Sequence, residues 1–148
     1  MDRINYFNTI KQQYVECREV ERKIIVSRLK GEGYSKINQK DMDNRGGEGI
    51  TEYTSGHQMK FCHNLSNWKW VECEKNGEIY LISLQSFDQN PNSKNHLVLM
   101  DRLGICKYKK YDPEAVFKNM TITEMELPMD KAKLDELVLD LERLELLD

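Results

Sequence analysis

A two-residue turn at Asn76-Gly77 is the sequence feature that most narrows the fold. Asparagine followed by glycine tolerates the two positive φ angles of a type I′ turn, which is the connection that β-hairpins favour. Runs rich in strand-forming residues flank the turn, so residues 68–74 are predicted to pair with residues 78–84. One face of that hairpin then holds the apolar set Val71, Cys73, Tyr80, Ile82 and Leu84.

Shorter signals predict further strands on both sides of this hairpin. Residues 59–63 can add a strand before it, and residues 121–127 read as a final strand. The β-rich part of the chain then covers residues 57–127. Its strands are close together in sequence, which is typical of antiparallel pairing.

The segment that follows the hairpin is predicted to contain a second hairpin and a short helix. Residues 97–101 and 105–109 can pair, with Gly104 in the tight connection between them. An aspartate followed by proline, at Asp112-Pro113, is typical of a helix start because the carboxylate caps free N–H groups and proline fits the first turn. A helix is therefore predicted over residues 113–119.

A longer helix is predicted at each end of the sequence. Residues 1–30 carry apolar side chains at helical spacing, and Gly31 follows as a stop signal. Residues 129–148 carry an apolar stripe made of Leu134, Leu137, Val138, Leu141 and Leu144. Basic side chains outnumber acidic ones in the first helix, and the reverse holds in the second. Opposite charge favours packing between the two helices, within one chain or between chains.

Between the first helix and the β-rich region, residues 34–56 lose all hydrophobic periodicity. The second half of this interval contains four glycines, at positions 46, 47, 49 and 56, and glycine is typical of turns and loops. Such a length without regular structure is unusual inside a compact domain. We predict a flexible connector here.

Together these elements predict a single α+β domain over residues 1–148. Its antiparallel sheet has about five or six strands and is packed by the long N-terminal helix and the amphipathic C-terminal helix, in two layers. A chain of 148 residues is long enough to bury a core without a disulfide or a metal ion to hold it together.

The composition excludes several classes of protein and predicts neither a metal nor a cofactor. The net charge of −3 is too mild to attract nucleic acid to the chain as a whole. No apolar run approaches the about eighteen residues that a membrane span needs. The four cysteines are scattered rather than arranged in close pairs, so free thiols in a cytoplasmic protein are predicted.

The C-terminal segment carries more leucine than one helix needs to pack on its own domain. Leu139 and Leu146, seven residues apart, fall on a different side of the predicted helix from the main stripe. On the predicted hairpin, Trp68 and Trp70 share a face that also carries charge. Tryptophan in such a position is typical of protein interfaces. Equally, a helix of the same chain, the first or the last, can cover that face and bury both indole rings. These four residues are the predicted partner-binding residues.

No group of residues in the sequence forms a recognisable catalytic constellation. The surplus apolar surface and this lack of catalytic motifs favour a non-enzymatic binding or regulatory protein, such as an inhibitor, an adaptor or a chaperone-like factor. Such a protein acts by docking to another protein, and self-association into a homo-oligomer is expected from the same surplus.

One alternative is a small enzyme with a site around His57, Cys62 and His63. This is the densest cluster of nucleophile, base and soft metal ligands in the sequence. Adjacent residues of a strand point to opposite faces, however, so Cys62 and His63 do not easily engage each other. Further metal ligands would have to come from distant cysteines.

A second alternative is nucleic-acid binding through residues 107–111 together with the loop at residues 46–56. This run alternates lysine with tyrosine, so it offers cations for phosphate and rings for base stacking, with Lys107, Lys109 and Lys110 as the contacting cations. The competing interpretation is an edge strand that its lysines protect from aggregation. That interpretation is favoured because nucleic-acid-binding domains usually show a wider basic surface.

Overall fold

The computed structural model of the chain describes residues 3–42, 49–55, 58–64, 68–88, 99–125 and 129–147. Within these residues it contains three α-helices and a six-stranded, mostly antiparallel sheet, which confirms the predicted α+β class. Side chains are described for residues 16–41, 69–84, 101–123 and 129–147. None of the described helices is both long enough and apolar enough to cross a membrane.

The main sheet is assembled around the central hairpin. In chain order the elements are α1 (Arg3–Gly31), β1 (Ser35–Met42), β2 (Gly49–Ser55), β3 (Gln58–Asn64), β4 (Trp68–Lys75), β5 (Glu78–Asp88), β6 (Leu99–Tyr108), α2 (Pro113–Asn119), β7 (Thr121–Met125), α3 (Lys131–Arg143) and β8 (Leu146–Leu147). The strands of the main sheet run in the order β1-β4-β5-β6-β7, with β8 added in parallel to β6. Strands β2 and β3 form a separate two-stranded sheet.

The turn between β4 and β5 has the geometry that its sequence predicts. Both of its central residues have positive φ, 55° at Asn76 and 78° at Gly77. Asparagine tolerates this left-handed region and glycine adopts it freely, which is why this residue pair suits a type I′ turn. The turn sets a register in which Val71 lies opposite Ile82 and Cys73 lies opposite Tyr80.

The larger part of the core lies between one face of the sheet and two helices. Ile25 and Leu29 of α1 and Leu137 and Leu141 of α3 are buried in one apolar cluster with this face. The strands contribute the buried side chains Val71, Cys73, Tyr80, Ile82, Leu84, Leu103 and Ile105. Because alternate residues of a strand point to one face, the odd positions of β4 and the even positions of β5 supply this cluster.

Helices α1 and α3 are also joined to each other by polar contacts. The guanidinium of Arg28 lies 2.6 Å from the carboxylate of Asp135. About two helical turns earlier, the backbone N–H of Met129, just before α3, donates to the Glu21 carboxylate at 3.1 Å. The attraction predicted from their opposite charges therefore acts within one chain, and the order of the two contacts shows that the helices run in the same direction.

The opposite face of the sheet carries a second, smaller apolar cluster. Val116 of α2 is buried there, and the strands contribute Trp70, Leu81, Cys106 and Tyr108. Helix α2 begins as its sequence predicts, because the Asp112 side chain accepts a hydrogen bond from the backbone N–H of Glu114 at 3.1 Å and Pro113 occupies the first turn. Helices therefore contribute to clusters on both faces, whereas the sequence predicts two layers.

The predicted flexible connector over residues 34–56 contains two strands. Strand β1 pairs with β4 at the edge of the main sheet, and β2 pairs with β3. Most side chains of β1 are polar, and Ile37 alone of its described side chains packs against the core cluster. An edge strand is held mainly by backbone hydrogen bonds and often carries lysine. Strand β1 therefore lacks the alternation of apolar and polar residues by which strands are predicted from a sequence.

Where a hairpin is predicted over residues 97–109, residues 99–108 form one strand, β6, and residues 97 and 98 lie outside the described residues. Gly104 lies in the middle of β6, between Ser83 of β5 and Ile122 of β7, rather than in a turn. Strand β5 is eleven residues long and pairs with β6 along ten of them. Because β5 pairs with β6 without interruption, it keeps the backbone extended at Gly104, although glycine in a strand often marks a bend.

The C-terminal helix is shorter than the predicted interval 129–148. Helix α3 ends at Arg143, the backbone is extended at Leu144, and Leu146 and Leu147 form β8. Strand β7 pairs with β6 only as far as Ile105, so the edge of β6 is open at residues 107 and 108. Pairing with that edge satisfies backbone groups of the last residues, which is an alternative to continuing the helix.

A network of charged side chains borders the core where α1 crosses β1 and β4. The guanidinium of Arg22, which is buried, lies 2.8 Å from Asp41 and 2.7 Å from Glu19. The ammonium of Lys69, also buried, lies 2.8 Å from Asp41. Burial acts to raise the pKa of Asp41, but hydrogen bonds from Lys69 and Arg22 outweigh it and hold that pKa below its ordinary value.

We expect Arg22→Ala to lower the free energy of unfolding by about 2–3 kcal/mol, because it leaves half-buried carboxylates and backbone carbonyls without a cation that now pairs with them. Lys69 stays in place and limits the loss. Urea unfolding measures this change. Lys30→Ala, at an exposed position of the same helix, serves as the control and should change stability by less than about 0.5 kcal/mol. Equal stability of the two variants would contradict the account of this network.

Candidate docking surface

Two half-exposed aromatic rings cover a buried tryptophan beside α2. Tyr111 is 38% exposed and Phe117 is 36% exposed, while Trp70 beneath them is 2% exposed. The ring centroid of Trp70 lies 6.3 Å from that of Tyr111 and 5.8 Å from that of Phe117. We call Tyr111 and Phe117, with Trp70 below them, the aromatic patch.

The local sequence explains why these rings come together. Trp70 precedes Val71 on β4, so it points away from α1 and towards the face on which α2 lies. Val116 anchors α2 in the same cluster, and Phe117 is the next residue, turned towards the surface. Tyr111 directly precedes the capping residue Asp112. The residue before the cap of α2 and a residue within α2 therefore each place a ring against the same indole.

Tyr108 forms part of the support below the patch. Its ring centroid lies 5.8 Å from that of Tyr111, and its hydroxyl donates to the Glu72 carboxylate at 2.9 Å. Burial and this hydrogen bond to a carboxylate raise the pKa of Tyr108 far above its ordinary value. The phenol is therefore a neutral donor that fixes the ring, rather than a group for proton transfer.

Cations are prominent around the aromatic patch. Lys109 and Lys110 are exposed directly before Tyr111, and Lys118 is exposed directly after Phe117. Lys40 of β1 lies opposite Trp70 in the sheet, and its ammonium is 3.8 Å from Glu72. The carboxylates of Asp112 and Glu114 partly offset these charges. The rim of the patch nevertheless favours negatively charged groups.

The predicted partner-binding residues divide into accessible and inaccessible positions. Trp70 is buried, because α2 and Tyr111 cover its ring, and contact of this ring with a partner stays a prediction. The backbone of Trp68 lies opposite Met42, and its side chain falls outside the described residues. Leu139 is 48% exposed on α3. Leu146 lies in β8 and is half-buried, away from the helical position predicted for it.

The predicted enzymatic cluster is only partly described. His57 lies outside the described residues, and the side chains of Cys62 and His63 do as well. Their backbones occupy adjacent positions of β3, opposite Thr51 and Ile50. Among the described residues no three acidic, histidine or cysteine side chains are grouped as a metal site would require. The enzyme hypothesis remains a prediction, and selective alkylation of Cys62 near neutral pH would favour it.

The described thiols are poorly suited to nucleophilic chemistry. Burial raises the pKa of Cys106 to about 12, and burial together with the charge of Glu72 raises the pKa of Cys73 to about 12. Burial and the nearby carboxylates of Asp101 and Glu21 also raise the pKa of Cys17. A thiol acts as a nucleophile in its ionised form, so these raised pKa values disfavour nucleophilic chemistry at the three thiols near neutral pH.

The predicted nucleic-acid contacts do not act as one basic surface. Lys107 lies 3.5 Å from the carboxylate of Glu78 and 5.8 Å from the centroid of the Tyr80 ring. Lys109 and Lys110 follow the end of β6 and are exposed. The edge-strand interpretation of this run is wrong, because β6 lies between β5 on one side and β7 with β8 on the other. Lysine therefore has no edge to protect at this strand.

No protein-family model, no curated protein and no solved structure matches this chain.

The aromatic patch was not predicted from the sequence, because Tyr111 and Phe117 lie outside any regular apolar alternation. One feature of the sequence could have predicted that Phe117 is exposed. A helix that starts at Pro113 and places Val116 inward turns the adjacent Phe117 outward, since neighbouring residues of a helix are about 100° apart.

Proposed function

We propose that this chain is a non-enzymatic binding or regulatory protein that docks to another protein through the aromatic patch. The observation that carries the proposal is the pair of half-exposed rings, Tyr111 and Phe117, seated on the buried indole of Trp70. Large apolar side chains left at the surface in a group mark interaction sites more often than isolated ones do.

The patch has the anatomy of a binding hot spot. Aromatic residues dominate the energy of protein interfaces, and they do so where rigid neighbours hold them in place. Here the floor is rigid, because Trp70 and Tyr108 are buried and the Tyr108 hydroxyl is hydrogen-bonded to Glu72. Docking would therefore cost little ordering of the side chains involved.

The charge around the patch narrows the chemistry of the partner. Exposed lysines at positions 109, 110 and 118 suit a segment that carries carboxylates beside one or two apolar side chains. The apolar side chains would cover Tyr111 and Phe117, and the carboxylates would meet the lysines. Such charge complementarity contributes mainly to the rate of association and to specificity.

Affinity capture from the native cell, with identification by mass spectrometry, tests this proposal. We expect the double variant Tyr111→Ser/Phe117→Ser to lose partners that the wild-type chain captures. The matched control is Ile122→Ser, which removes another exposed apolar side chain on β7, three strands away from Trp70. Retention of every partner by the double variant would contradict docking through the patch.

Nucleic-acid binding is the second candidate, because Lys109, Lys110 and Tyr111 combine exposed cations with an exposed ring. Protein docking is favoured for two reasons. Each ring of the patch already packs against Trp70, which leaves less free surface for a base, and Lys107 is paired with Glu78. Nuclease treatment before capture separates the two candidates. Binding to single-stranded nucleic acid that falls steeply with added salt would favour the second.

A further inference from the structure

A cleft separates β7 from β8 at the edge of β6. Strand β7 begins at Thr121, opposite Ile105, and β8 begins at Leu146, opposite Lys107. From these starting points the two strands run along β6 in opposite directions, because β7 is antiparallel to β6 and β8 is parallel to it. The space between them has a volume of about 380 Å³. This volume lies within the range of about 300–1,000 Å³ that is typical of sites for small molecules.

The inner wall of the cleft is apolar. Ile105 and Cys106 line it from β6, and both are buried. Leu144 and Leu147, which follow α3, also line the cleft and are half-buried. Burial raises the pKa of Cys106 to about 12, so its thiol is uncharged near neutral pH. This wall therefore suits the apolar part of a ligand.

The outer part of the cleft is polar. Asn119 and Thr121 line it where α2 leads into β7, and Arg143 and Glu145 line it where α3 leads into β8. All four residues are exposed. Among the described residues, no ion pair or hydrogen bond holds the side chains of Arg143 and Glu145. Both charged groups are therefore available to a ligand.

The two charges select the chemistry of that ligand. A guanidinium such as that of Arg143 binds a carboxylate through two parallel hydrogen bonds. The carboxylate of Glu145 attracts an ammonium group, and so does the partial negative charge at the end of α3, which lies at Arg143. A ligand with one charge alone would meet the like charge of either residue. A molecule that carries both charges close together fits the cleft better.

We infer that this cleft binds a free α-amino acid with an apolar side chain. Its carboxylate pairs with Arg143, its ammonium group pairs with Glu145, and its side chain lies against the wall formed by Ile105 and Cys106. Asn119 and Thr121 offer further hydrogen bonds from the other side. None of the residues that line the cleft belongs to the aromatic patch. The inference therefore stands or fails independently of the proposed function.

An NMR titration of the full chain with leucine tests the inference through its amide signals. We expect leucine to shift the signals of Cys106, Thr121 and Leu147, with a dissociation constant in the millimolar range or lower. Isoamylamine is leucine without the carboxylate, and isocaproate is leucine without the ammonium group. Each should bind at least about tenfold more weakly than leucine, because one charged hydrogen-bonding partner is missing.

Two variants assign the charges to their residues. Arg143→Gln should weaken leucine binding by about tenfold or more without weakening isoamylamine, which has no carboxylate for Arg143 to bind. Glu145→Gln should weaken leucine to a similar extent without weakening isocaproate. The matched controls are Lys131→Gln and Glu142→Gln, at exposed positions of α3 outside the cleft. They should leave the leucine dissociation constant within about threefold of the wild-type value.

Three results would overturn the inference. The first is the absence of leucine-induced shifts at the residues of the cleft. The second is leucine binding that is no tighter than the binding of both analogues, because the two charges would then play no part in recognition. The third is equal weakening of all three ligands by Arg143→Gln and Glu145→Gln, which would indicate a change in the structure of the cleft rather than the loss of a direct contact.

Discussion

Replacing the tryptophan beneath the aromatic patch is expected to destabilise the protein severely. Trp70→Ala should lower the free energy of unfolding by about 3–5 kcal/mol, because it removes a buried indole from a small cluster that Leu81, Cys106, Tyr108 and Val116 share. Helix α2 is seven residues long and relies on this cluster for its position. Urea or guanidinium unfolding measures the loss.

The rings above the indole are expected to behave differently. Phe117→Ala removes a side chain that is already 36% exposed, so its cost should stay below about 1.5 kcal/mol. This contrast separates a residue that supports the fold from residues available to a partner. A Trp70→Ala variant with wild-type stability would show that the indole is not the floor of the patch.

The second large effect is expected at alkaline pH. Burial raises the pKa of Cys73 and of Cys106 to about 12, and it raises the pKa values of Tyr34 and Tyr108 beyond that of either thiol. In the unfolded chain these groups ionise at their ordinary values, about 8.5 for cysteine and about 10 for tyrosine. Between the ordinary pKa of each group and its raised pKa in the folded protein, the folded state holds more protons than the unfolded state.

The sign of the effect follows from proton linkage. A group whose pKa is higher in the folded state stabilises the fold below its unfolded pKa, and this stabilisation is lost as the pH rises towards the folded value. Between about pH 9 and 12 the two thiols together should remove about 3 kcal/mol per pH unit, and the two phenols steepen the loss above about pH 10. Guanidinium unfolding at a series of pH values, with a thiol reductant present, measures this slope.

A double substitution identifies the groups responsible for the alkaline loss. Cys73→Ala/Cys106→Ala should lower stability at neutral pH, because it leaves small voids in the core. It should also make the decline between pH 9 and 10 markedly shallower, because the thiol contribution is gone. An unchanged slope in this variant would assign the alkaline loss to other groups.

Local signals in the sequence predicted the structure correctly where a few adjacent residues determine the backbone geometry. The turn at Asn76-Gly77 depends on two residues that tolerate positive φ, and the start of α2 depends on the Asp112 cap and Pro113. Neither feature needs a distant contact. The α+β class followed from such signals, together with the helical spacing of apolar residues at the two ends of the chain.

The elements that were predicted incorrectly depend on pairing between distant residues. Strand β1 is held by β4, more than twenty residues later, and its own side chains give little sign of a strand. Gly104 is extended because β5 and β7 pair on either side of it. The last residues leave the helix after Arg143 because an open edge of β6 is available to β8. Periodicity within a segment contains no information about any of these partners.

The candidate surface was predicted only in part for the same reason. The sequence identified Trp70 as an aromatic residue on a charged face, but it did not show that α2 and Tyr111 would cover the indole and present their own rings instead. For α3, the exposed Leu139 was anticipated from helical spacing alone.

The most direct test of the docking account is the affinity of a partner, obtained by capture, for the wild-type chain and for Tyr111→Ser/Phe117→Ser. Isothermal titration calorimetry, with Ile122→Ser as the control, gives the three dissociation constants under one set of conditions. Two hot-spot rings predict that the double variant binds at least about 30-fold more weakly, while the control stays within about threefold of the wild type. Equal affinity of the double variant and the wild type would contradict the account.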